Sequence, residues 1–104
     1  MIEKYLPEWA QEKIAEMIEK IIEAKGLRDD EFFTVKVETE TNILGEIFIV
    51  SVAGRARFDD SGEIESIYFD TVSVGRSYSF DDSGYLYREH ILNWEEKKEF
   101  QKLF

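Results

Sequence analysis

Apolar positions recur along residues 7–25, PEWAQEKIAEMIEKIIEAK, at alternating spacings of four and three: Ala10, Ile14, Met17, Ile21 and Ala24, with Ile18 and Ile22 widening the stripe. That period predicts one amphipathic helix. Pro7 suits its first turn, and Glu8 and Glu12 lie toward the positive end of the helix dipole. Gly26 followed by Leu27 predicts a left-handed C-terminal cap with its hydrophobic contact.

From Phe32 the period falls to two. Phe33, Val35 and Val37 alternate with Thr34, Lys36 and Glu38, predicting a half-buried strand that ends near Asn42. A second strand over 46–58 puts Phe48, Val50, Val52, Ala56 and Phe58 on one face, with Arg55 and Arg57 on the other. Residues 63–80 hold one parity: Ile64, Tyr68, Val72, Val74, Tyr78 and Phe80 share a face with Ser66, Asp70 and Arg76. A straight strand of that length would run roughly 60 Å, against a radius of gyration of about 13 Å for a domain of this size. A bend or bulge at Gly75 is therefore expected, since glycine within a strand commonly marks one.

A fourth strand covers about 85–92, and Asn93 opens NWEEKKEFQKLF with Glu96 placed to complete a capping box on a second, short helix. The expected fold is one α+β domain over residues 1–104: an N-terminal helix packed on a curved four-stranded antiparallel meander, with a short C-terminal helix. This order is similar to the cystatin-like arrangement in topology, a likeness that carries no function.

The pentapeptide FDDSG occurs at 58–62 and again at 80–84. Three-residue loops with glycine at positive φ keep like faces together. The first copy then sets Phe58 opposite Ile64, Val50 opposite Val72, Phe48 opposite Val74 and Arg57 opposite Glu65. The second sets Phe80 opposite Leu86 and Val74 opposite Leu92, which puts Arg76 opposite His90 and Tyr78 opposite Arg88. A calcium loop needs glycine at its sixth position and glutamate at its twelfth. Counting from Asp59 or Asp81 puts Ile64 or Leu86 at the glycine position, so both copies read as turns and no metal ligands are assigned.

Thirteen basic residues stand against 23 acidic ones, a net of −10, which opposes direct contact with nucleic acid or an anionic membrane and favours a basic protein partner. The candidate partner-binding residues are Asp59, Asp60, Glu63, Glu65, Asp81, Asp82, Glu89, Glu95 and Glu96, presented as a rim with the two acidic turns at opposite ends of the sheet. Excess carboxylate that serves only solubility is the competing reading. Small phage-encoded inhibitors of bacterial defence systems, anti-CRISPR proteins among them, and acidic nuclease immunity proteins share this size and charge. An inhibitor that mimics nucleic acid is the function so implied, although no motif ties the chain to either group.

With one histidine, no cysteine and no nucleotide-binding or zinc-protease motif, no enzyme activity and no cofactor are expected. The register above gathers Asp70, Arg76, Tyr78, Arg88 and His90 on the apolar face as a possible small-anion patch, unless they are solvated beyond the helix. Ile67, Phe69, Tyr85 and Tyr87 fall on the opposite face, where contiguous apolar surface would make a homodimer or an accessory subunit unless the second helix folds over them. The absence of cysteine, of a leader-like segment and of a membrane-length apolar run makes a soluble cytoplasmic protein the expectation.

Overall fold

The computed structural model describes the backbone of residues 2–40, 46–79 and 85–104, and the side chains of residues 2–39, 47–77 and 89–104. A 3₁₀ turn at Ile2–Lys4 leads into helix α1, Glu8–Ala24. Pro7 sits at the N-cap with extended backbone, one residue ahead of the first turn. At the other end the N–H of Lys25 reaches the carbonyls of Ile21 and Ile22, and Gly26 follows at φ 64° as the left-handed cap. The buried face is Ala10, Gln11, Ile14, Ala15, Ile18 and Ile22. Met17 and Ile21 are half-buried margins and Ala24 is exposed, so the stripe is rotated from the one expected. Gln11 can be buried because its amide donates to the Leu6 carbonyl at 2.9 Å.

Four strands, β1 (Phe32–Glu40), β2 (Glu46–Phe58), β3 (Ile64–Ser79) and β4 (Tyr85–Ile91), form an antiparallel meander in the order β1-β2-β3-β4. Helix α2, Trp94–Gln101, follows, and both helices pack on one face of the sheet, leaving the other bare. No sharp bend is needed to house β3, because the molecule is elongated, 50 × 27 × 21 Å.

The single parity expected through β3 does not hold. Phe58 does pair with Ile64, but the ladder then shifts twice, between Arg57 and Phe58 and between Ala53 and Gly54. Each shift is a β-bulge with one unpaired residue on β3, first Glu65 and then Asp70. Between them the facing of β3 is inverted, so Ile67 (6% exposed) and Phe69 (1%) point inward and Tyr68 (61%) points out. Ile67 and Phe69 are thus core rather than an open dimer surface, while the side chains of Tyr85 and Tyr87 lie outside the described residues. Between the bulges Arg57 pairs with Ser66 instead of Glu65, and beyond the second Val50 pairs with Val74, Val52 with Val72 and Phe48 with Arg76.

Gly54, not Gly75, is the glycine that the bulge requires. A Cβ at Gly54 would lie 2.0 Å from the Tyr68 carbonyl oxygen, whereas Gly75 pairs regularly with Ile49 and Glu89. The β3–β4 ladder also departs by two residues from the expected register: Val74 faces His90, Arg76 faces Arg88 and Tyr78 faces Leu86. Leu92 instead donates its N–H to the Val72 carbonyl. The second FDDSG, from Phe80 to Gly84, lies outside the described residues.

Helix α2 opens as expected, with Asn93 and Glu96 forming a capping box. Its later residues cover the bulged half of β3, which β4 does not reach. There Gln101 stands in for a strand: its amide nitrogen donates to the Ile67 carbonyl, and its amide oxygen accepts from the Phe69 N–H. Lys97 donates to the Asp70 carbonyl at 3.0 Å. The Phe69 ring lies 5.3 Å from that of Phe100 and 4.9 Å from that of Phe104, and Phe33 closes the cluster.

Candidate functional site

Some of the carboxylates singled out from sequence accept hydrogen bonds from the fold itself. Asp59 is one of them, although it is exposed. Its Oδ1 accepts from the Ser61 N–H, the Ser61 hydroxyl and the Glu63 N–H at 2.9, 2.7 and 2.9 Å. These bonds, that from the Ser61 hydroxyl foremost, hold its carboxyl below the usual range, and Gly62 completes the turn at φ 85°. Asp60 beside it is exposed. Asp81 and Asp82 lie outside the described residues.

Glu96 is also committed to the fold, and it is buried. Its Oε1 accepts from the Asn93 N–H and meets His90 Nε2, both at 2.9 Å. The backbone bond from Asn93, then the His90 contact, lowers its pKa despite burial. The His90 ring stacks on Tyr5 at 3.7 Å, and Glu99 accepts from the Ile2 N–H at 2.8 Å. These contacts fasten the 3₁₀ turn to α2. Glu95 is exposed, and Glu89 is exposed on the bare face of the sheet.

The expected anion patch is only partly assembled. Arg76 stands over the Phe48 ring at 4.7 Å, and Trp9 meets the same ring edge-on. His90 is committed to Glu96 and Tyr5. Asp70 lies six residues from Arg76 along the strand, roughly 20 Å at the usual rise. Arg88 is opposite Arg76 in the ladder, and the side chains of Arg88 and Tyr78 lie outside the described residues.

The acidic residues that do converge surround a groove of about 380 Å³ between the C-terminal half of α1 and the β2–β3 turn. Glu19 and Glu23 come from the helix, Glu63 and Glu65 from the hairpin, and Ile64, Ile67 and Phe104 supply apolar lining. The bulge at Glu65 and the inverted facing that follows bring Ile67 to this side. Among the described residues no group of three or more histidines, aspartates or glutamates is spaced to hold a metal ion. Four separated carboxylates beside an apolar lining match the side chain of a lysine or arginine, whose stem is apolar and whose head is charged.

The groove extends a line of charge along the helix. Glu8, Glu12, Glu16, Glu19 and Glu23 fall within an arc of about 80° at 100° per residue and run roughly 22 Å at 1.5 Å per residue. Lys13 and Lys20 border this line on one side, three or four residues from Glu16 and Glu23, where opposite charges offset the repulsion among the glutamates. Glu19 and Glu23 were not among the residues expected from sequence. Their signal was present in the spacing 8, 12, 16, 19, 23, which parallels the apolar stripe.

A second groove, of about 660 Å³, lies on the bare face of the sheet, its floor made largely of Thr34, Ser51, Ala53, Thr71 and Ser73. Among the described residues no helix is long and apolar enough to cross a membrane. No protein-family model, no curated protein and no solved structure matches this chain.

Proposed function

We propose that this domain is a non-catalytic acidic binding module whose partner is a protein with a basic segment, laid along α1 and anchored in the groove of Glu19, Glu23, Glu63 and Glu65. The observation that carries this reading is the alignment of the glutamates of α1 with that groove. Charge present only for solubility has no reason to form a line ending at an apolar lining.

The sharper form of the proposal is an inhibitor that mimics nucleic acid, occupying a basic nucleic-acid-binding or defence protein as anti-CRISPR and immunity proteins of this size and charge do. Magnitude narrows it. Five carboxylates over roughly 22 Å give one charge per ~5.6 Å, against one per ~3.4 Å along a single strand and ~1.7 Å for a duplex. The line therefore imitates a thinned single strand better than a duplex. The alternative role, an oligomeric accessory subunit, draws its support from the bare face of the sheet.

Calorimetric titration with a short oligo-lysine peptide tests the primary reading. Binding should weaken steeply with salt and by at least about tenfold in a Glu19→Lys, Glu23→Lys variant. A Glu3→Lys, Glu31→Lys control of equal charge change should lose much less. Equal losses in the two variants would reduce the effect to net charge and defeat the assignment of the groove.

A further inference from the structure

The face of the sheet opposite the helices has a pattern of its own, set by the register. At one end, side by side across three strands, stand Phe32, Arg55 and Tyr68. Phe32 is 52% and Tyr68 61% exposed, and Arg55 joins no ion pair among the described residues. Six residues along β2, the row Glu38, Ile49, Gly75, Glu89 places a carboxylate on each outer strand. Between these rows lie Thr34, Ala53 and Thr71, then Lys36, Ser51, Ser73 and Ile91, which line the larger groove. Ile91 is 68% exposed.

We propose that this face is a two-fold interface between two copies of the chain. A two-fold axis lying across the strands at the level of Val52 turns the face onto itself end over end. Each row then meets the row equally far from the axis. Arg55 of one copy comes over Ile49 of the other, flanked by Glu38 and Glu89, and the pairing occurs twice. Tyr68 comes over Gly75, which carries no side chain of its own, and Ala53 and Thr71 come over Ser51 and Ser73. Small floor residues let the two sheets approach, and the exposed aromatic residues and arginine of the outer row are residue types enriched at interfaces.

A helical, strand-like or nucleic-acid occupant has less support. Glu38 and Glu89 on the same face oppose a phosphate backbone, and the positive and negative ends of the face complement each other only when the second copy is reversed. A face about 20 Å wide and 25 Å long covers about 1,000 Å² summed over both copies, the lower bound for a specific interface. The dimer is accordingly weak, and the net charge of −10 on each copy opposes it at long range.

Sedimentation equilibrium of the full chain up to about 1 mM tests the proposal, the range being set by so small an interface. The mass should rise from one chain toward two. Arg55→Glu and, separately, Tyr68→Glu should each weaken association by about tenfold or more, and Arg55→Glu combined with Glu38→Arg and Glu89→Arg should restore it. All four positions are exposed, so circular dichroism should be unchanged. A chain that stays monomeric across this range overturns the proposal. So does a dimer indifferent to both single substitutions, a charge-reversed variant as weak as Arg55→Glu, or a different protein or a nucleic acid found on this face.

Discussion

Between Val72 and Ser79, β3 alternates as its sequence does, with a strand on either side and Val72 and Val74 inward. Between Glu65 and Asp70 the same strand has β2 on one side only, two unpaired residues, and a helix side chain where a strand would be. The two halves belong to one strand but reach their facing by different means. Where both neighbours are strands, the pleat decides facing. Where one is missing, burial against α2 decides it, and the ladder absorbs the difference as bulges.

The strongest test of this contrast sets two adjacent residues against each other. Phe69→Ala should cost about 3–5 kcal/mol in denaturant unfolding, as expected for a buried aromatic, while Tyr68→Ala should stay within about 0.5 kcal/mol, as for an exposed one. Unbroken parity would reverse that order, so comparable or inverted losses would refute the bulged arrangement. Gly54→Ala comes next. A Cβ 2.0 Å from a carbonyl oxygen cannot be accommodated without moving backbone, and a loss of about 3 kcal/mol is expected, with amide exchange accelerated first in residues 65–70. Smaller is Gln101→Ala, which leaves the Phe69 N–H and the Ile67 carbonyl without their partner. About 1–3 kcal/mol is expected, together with lost exchange protection at Phe69; retained protection would mean that Gln101 is not acting as a strand.

The same contrast explains what the sequence disclosed. Local signals were legible: the helix periods, the Asn93–Glu96 box, Gly26 and Gly62 at positive φ, and the extents of β2 and β4 to within a residue. The inner parity of β3 was not, because two apolar series compete there. Ile64 and Tyr68 continue the parity of Val72, but Ile67 and Phe69 on the other parity bury as much, and only the docking of α2 chooses between them. Ser66 and Asp70, polar members of the favoured series, were the hint, and Gly54 within an otherwise bulky strand was another. The acidic site was half legible. Glu63 and Glu65 were named, but Asp59 and Glu96 turned out to satisfy backbone donors, and Glu19 and Glu23 become visible only once the helix is set beside the hairpin.

Gln101 has a consequence for the life of the chain before it is fully folded. Ile67, Tyr68 and Phe69 form an apolar stretch with open backbone groups along one side, the kind of edge that recruits strands from other molecules. Gln101 and Lys97 occupy the hydrogen-bonding positions that an intruding strand would need. Until α2 docks, this stretch is an open apolar edge. The short helix therefore serves as a guard against aggregation as well as a piece of the core.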